Sequence, residues 1–291
     1  MGIVNFFKNF IEEEKQIKKE EDYKKRHEKA GEMAQQKCTY LFNEKARDLI
    51  LACKNNQLKG REQELIDVLF NPFEIDLSDT DYKFQEKIFK ICSKNKDLVD
   101  YICEVANCKP EEICFGSSYR DQSQSVVFGS VDHLYDNNHS ELKNPRYVFG
   151  NVGFGIDQGR FETIEHIGGN LAYFRANEAM NFPDLEYVGG NVLIPNAPTH
   201  AFSLREVDGS VAVSDNSLAG ISFASLSRIG TNKFFIFSNK SAMPEEWANF
   251  ASATGFEVLK DFDDATFAQY FSKKRVREIR EEFCDEFGLD K

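Results

Sequence analysis

Near its centre the chain reads Phe182-Pro-Asp-Leu-Glu-Tyr-Val-Gly-Gly-Asn-Val-Leu-Ile194, and the phrase recurs on both sides. One step earlier it is Phe161-Glu-Thr-Ile-Glu-His-Ile-Gly-Gly-Asn-Leu-Ala-Tyr173, and one step later Phe202-Ser-Leu-Arg-Glu-Val-Asp-Gly-Ser-Val-Ala-Val213. Weaker copies stand at Phe223-Ala-Ser-Leu-Ser-Arg-Ile-Gly-Thr-Asn232, Arg146-Tyr-Val-Phe-Gly-Asn-Val152 and Val127-Phe-Gly-Ser-Val131. Aligning Gly129, Gly150, Gly169, Gly190, Gly209 and Thr231 gives a period of roughly 20 residues, the range of a solenoid.

Each unit holds a run with period-two alternation, such as Tyr187 to Ile194, which predicts a strand with one face buried. If Val188 points inward, so do Gly190, Val192 and Ile194. Stacked units then form ladders of like on like. Val148, Ile167, Val188, Val207 and Ile229 make one row. Phe161, Phe182, Phe202 and Phe223 make a second, and Ile164, Leu185, Leu204 and Leu226 a third. A unit this small has no core of its own, so its neighbours must cover its apolar side. The paired glycines predict a bulge or a close backbone approach within the strand. The Asn or Ser that follows (Asn151, Asn170, Asn191, Ser210) is expected to bond backbone groups of the adjacent coil.

At the runs 164–171, 185–192 and, degenerately, 204–211, the chain resembles the leucine-rich repeat superfamily, in the short form that also builds receptor L-domains. That resemblance implies a parallel β-solenoid and a recognition role, as in many bacterial and phage proteins, and it brings no catalytic residues. Phenylalanine replaces many of the family's leucines, and no full Leu-x-x-Leu-x-Leu-x-x-Asn phrase is present.

Outward from the repeats, the fold class is α+β: a leucine-rich-repeat-like solenoid over 125–237, between an N-terminal helical domain (34–115) and a C-terminal helical cap (238–291). Residues 1–33 read as a charged, projecting helix. Glu14/Lys18, Glu20/Lys24 and Glu21/Lys25 stand at i,i+4, each pair contributing about 0.2–0.5 kcal/mol. Apolar positions at three- and four-residue spacing predict helices around 34–53, 65–70, 84–92 and 98–106. Pro244 with Glu245 and Glu246 opens a helix that Gly255 ends. Phe256, Val258 and Leu259 add a last strand, and Asp263 or Asp264 caps a final helix through Phe283.

The composition excludes more than it assigns. With 291 residues and a net charge of −12, the chain makes a poor partner for a nucleic-acid backbone; another protein is the expected partner. Seven cysteines in no framework spacing, with no secretory signal before them, read as reduced thiols in a cytoplasmic protein. No run approaches the roughly 18 apolar residues of a membrane span. Cys103, Cys108 and Cys114 are separated by four and then five residues, where a zinc site prefers close Cys-x2-4-Cys pairs plus a further ligand pair, so they read as core thiols; His27-Glu lacks the second histidine of a zinc-protease helix. No cofactor, metal site or enzyme signature is found.

The candidate surface is the outward row Tyr147, His166, Tyr187, Glu206 and Arg228, with Gly153, Ala172, Leu193 and Ala212 beside it. Tyrosine and arginine over small neighbours suit a protein-binding face; the alternative is that a helix of the same chain covers it. The expectation is therefore a non-enzymatic adaptor or inhibitor of another protein. Two other readings are a structural subunit that self-assembles into a larger particle or virion, and an enzyme or toxin whose activity lies in the helical front.

Overall fold

The computed structural model describes residues 44–70, 82–116, 124–133, 145–154, 163–173, 182–194, 203–214, 223–238, 242–260, 262 and 266. The charged segment 1–33, the start of the helical region at 34–43 and the final helix expected through Phe283 lie outside these residues.

Among the described residues four α-helices come first: α1 (Glu44–Lys54), α2 (Glu62–Phe70), α3 (Tyr82–Cys92) and α4 (Lys96–Val105). Asn95 starts α4 as its N-cap, accepting from Leu98 N at 2.8 Å, and its Nδ2 donates to Cys53 O at the end of α1, also at 2.8 Å. One buried amide thus satisfies two helix ends, where an unmet capping bond would cost about 1 kcal/mol. Leu98, Ile102 and Ala106 turn inward as the spacing predicts, but Val105 is exposed.

Strand β1 (Ile113–Phe115) follows, and then strands come in pairs, one to each of two sheets. The pairs are β2 (Val126–Phe128) with β3 (Val131–His133), β4 (Tyr147–Val148) with β5 (Val152–Phe154), and β6 (His166–Ile167) with β7 (Leu171–Tyr173). Next are β8 (Tyr187–Val188) with β9 (Val192–Ile194), β10 (Glu206–Val207) with β11 (Val211–Ser214), and β12 (Arg228–Ile229) with β13 (Lys233–Phe237). Helix α5 (Glu245–Thr254), ended by Gly255 in the left-handed region, and strand β14 (Glu257–Leu259) close the described chain. The first sheet has the order β1-β2-β4-β6-β8-β10-β12 and the second β14-β13-β11-β9-β7-β5-β3, each seven-stranded. All the pairings in both are parallel. This is a parallel β-solenoid.

The alternating run is not one strand. The Gly-Gly-Asn segment is a corner between two short strands, with Val188 on the first sheet and Val192 and Ile194 on the second, all inward. The corner is tight because the glycines lie against the backbone of the coil before: a Cβ on Gly190 would stand 2.8 Å from the Gly169 carbonyl carbon. The asparagines bond as predicted. Asn170 N donates to Asn151 Oδ1 at 2.7 Å, Asn191 N to Asn170 Oδ1 at 2.8 Å and Ser210 N to Asn191 Oδ1 at 2.9 Å. Ser130 Oγ begins this ladder by accepting from Asn151 N, and the Ser210 and Thr231 hydroxyls end it, 2.6 Å apart. A backbone N–H buried at each corner therefore meets an acceptor from its neighbour, which a parallel stack must arrange for every coil.

The predicted apolar rows are in place. Val148, Ile167, Val188, Val207 and Ile229 are buried, as are Ile164, Leu185, Leu204 and Leu226; each side chain so buried contributes about 1.5–3 kcal/mol. Of the phenylalanine row, Phe182 and Phe223 are buried, while Phe161 and Phe202 fall outside the described residues. Trp247 of α5 packs against Phe234 and Phe250 at this end of the core, ring centroids 5.1 and 5.9 Å away. At the other end a second cluster joins the helices to the outer face of the first sheet, where Phe70 meets Phe128 edge-on at 4.9 Å and Phe128 meets Phe149 at 5.3 Å.

Candidate functional site

Parallel, in-register pairing places equivalent residues of successive coils directly side by side. On the first sheet Tyr147 pairs with His166, His166 with Tyr187, Tyr187 with Glu206, and Glu206 with Arg228. Five of the predicted surface residues thus form one continuous outward row. Leu193 does not belong to it. The Gly-Gly-Asn corner puts Leu193 on β9 of the second sheet, where it is 1% exposed, and Ala172 and Ala212 are buried on that sheet with it. Counting residues along a supposed single strand set these beside Tyr187; the corner separates them.

The row is built from stacked rings. Tyr147 and His166 stack face to face, nearly parallel, with centroids 4.0 Å apart, and His166 and Tyr187 do the same at 4.4 Å. Tyr147 also meets Phe149 at 4.7 Å, so the aromatic run continues under the helices. Beyond Tyr187 the row turns ionic. Tyr187 Oη donates to Asp208 Oδ2 at 2.5 Å, and Arg228 donates to Asp208 Oδ1 at 2.6 Å. Arg228 holds Glu206 Oε2 as well, through Nε at 3.0 Å and Nη2 at 2.7 Å. Beside the row, Arg146 pairs with Glu165 at 3.0 Å and donates to the carbonyls of Ala106 and Asn107 at the end of α4.

Asp208 was not among the residues that the sequence singled out. It stands where the two previous coils carry Gly168 and Gly189, and that departure from the repeat was the available signal. Its carboxylate joins the aromatic part of the row to the charged part.

Burial sets the protonation of the stack. It holds the His166 imidazole down to about 4, with Asp208 opposing that shift, and pushes the Tyr147 phenol up to about 12. Burial, and then the bond to Asp208, raise the Tyr187 phenol. At neutral pH the three rings are therefore uncharged and their faces are taken by one another. The Arg228 guanidinium and the Glu206 and Asp208 carboxylates beside them are partly exposed. Among the described residues no group of three or more His, Cys, Asp or Glu side chains is placed to hold a metal ion, and no helix is long and apolar enough to cross a membrane.

The depressed His166 has a measurable consequence. Its folded value of about 4 lies below the ordinary 6.5, so between these limits the unfolded chain binds the extra proton. The contribution to stability is complete above about pH 6.5 and is lost as the pH falls toward 4. Discounted for the exposed ring edge, it amounts to roughly 2 kcal/mol. On going from pH 7 to 4.5, wild type should lose more urea-unfolding free energy than His166→Phe by about this amount; equal losses would contradict it.

No protein-family model matches the chain, and no curated protein and no solved structure matches it either.

Proposed function

We propose that the protein is a non-enzymatic recognition scaffold of the leucine-rich-repeat kind, binding another protein through the outer face of its first sheet as an adaptor or inhibitor of a bacterial or phage system. The observation that carries this reading is the Tyr147–His166–Tyr187 stack running into the Asp208–Arg228–Glu206 cluster. Holding a flexible side chain in place on binding costs about 0.5–1.5 kcal/mol. Here stacking and ion pairing fix the side chains in advance. Tyrosine and arginine are also favoured as interface anchors, and aromatic edges beside paired charges suit a polar, flat partner surface better than a small-molecule cavity.

The test is affinity capture from the native host with wild type and with Tyr187→Asp/Arg228→Asp, repeated with the milder Tyr187→Phe/Arg228→Gln. Far-UV circular dichroism establishes that each variant is folded. A partner held by wild type should be lost with the first variant and weakened at least tenfold with the second. Unchanged capture of every partner by both folded variants would remove this face from consideration.

A further inference from the structure

The end of α4 closes with a six-residue hydrogen-bond pattern. Cys108 N donates to Cys103 O at 3.0 Å and Asn107 N to Glu104 O at 3.4 Å. Asn107 lies in the left-handed region with φ of 46°. In such a terminus the side chains three residues inside the helix and two beyond its cap come together, usually as an apolar contact. Here both positions are cysteine. The terminus therefore sets the two cysteine side chains beside each other, and neither is fully buried. Cys53 and Cys92 share the buried cluster of the helices, and both are buried.

A disulfide requires its two Cα atoms within about 7 Å of each other and its Cβ atoms facing. The bond from Cys108 N to Cys103 O sets the two backbones side by side, and this form of helix terminus turns the two side chains toward each other. We propose that Cys103 and Cys108 form a dithiol–disulfide site whose substrate is a small-molecule disulfide. One thiolate attacks that disulfide and expels the first small thiol. The second protein thiolate then displaces the other, closing one S–S bond across the helix terminus. Two electrons pass from the cysteines to the small disulfide, and their two protons end on the released thiols or in solvent.

The site lies at the joint between helices and solenoid. Arg146 donates to the carbonyls of Ala106 and Asn107, inside the loop that the bond would close, and reaches from there to Glu165 on the solenoid. Closing the loop fixes the turn on which this contact depends. Burial, together with the neighbouring acids Asp100 and Glu111 for Cys103 and Glu112 for both, keeps the thiols protonated, and Arg146 opposes this at Cys108. Exchange is therefore slow at neutral pH and follows the thiolate fraction.

The full-length protein is incubated with excess oxidised glutathione, alkylated, and read by peptide mass spectrometry. The 103–108 segment should become two hydrogens lighter, with two fewer alkylatable thiols, and dithiothreitol should restore both. The rate should rise about tenfold per pH unit between pH 7 and 9. Cys103→Ser should leave Cys108 as a stable glutathione adduct. Separate adducts on Cys103 and Cys108 in wild type, closure of Cys53 with Cys92 alone, or full alkylation of both residues after incubation at pH 9 would each overturn the proposal.

Discussion

Gly190→Ala is expected to lower the unfolding free energy by about 2–2.5 kcal/mol, although alanine is ordinarily the better residue in a folded chain. Replacing glycine by alanine restricts the unfolded chain and by itself stabilises by about 0.4–1 kcal/mol. The added Cβ, however, would stand 2.6 Å from Asn170 Oδ1 and 2.8 Å from both the carbonyl carbon and oxygen of Gly169. Two of these three atoms are backbone of the previous coil, which is itself stacked against the coil before it. Overpacking of this kind costs about 1–3 kcal/mol, and the upper end applies where no side chain can give way. Urea-unfolding midpoints of the variant and wild type measure the difference. An unchanged or raised midpoint would show that the coils do not approach as closely as the geometry requires.

Asn170→Ala is expected to cost about 2–3 kcal/mol, more than the loss of an exposed hydrogen bond. The side chain accepts from Asn191 N at 2.8 Å and donates through Nδ2 to Asn151 Oδ1 at 3.1 Å. Asn191 is buried, so its N–H would be left without an acceptor in a place water reaches poorly. An unsatisfied buried donor costs about 1–3 kcal/mol, against about 1 kcal/mol for a typical bond exchanged with solvent. Chemical denaturation gives the total. Hydrogen exchange of the Asn191 amide gives the local part: its protection should fall more than that of Asn151, whose acceptor is Ser130 Oγ. Equal protection at both sites would mean that the ladder is not what holds the corner.

How much of this could be read from the chain follows from what repetition encodes. A residue that recurs at one phase of a repeat must occupy one kind of place, so Val188 and Leu185 could be assigned to the core, and Asn170 to a bond with the next coil, without coordinates. Repetition says less about direction. The alternation through Tyr187 to Ile194 has the same parity whether the strand is straight or bent at its glycines. Only the close approach of Gly190 to Gly169 shows that it bends, and that bend carries Leu193 to a different sheet from Tyr187. Positions that break the repeat are hardest to read. Asp208 replaces a glycine once, and its importance comes from Tyr187 and Arg228, which lie 21 and 20 residues away along the chain.

The hydroxyls at the two ends of the asparagine ladder bear on how the molecule comes apart. Ser130 and Thr231 each have a neighbour in the ladder on one side, and every intermediate rung is braced from both. Stability in such a stack is close to a sum over adjacent rungs. Melting should then start at the extremities and travel inward like a zipper, with the rungs at Asn170 and Asn191 the last to open.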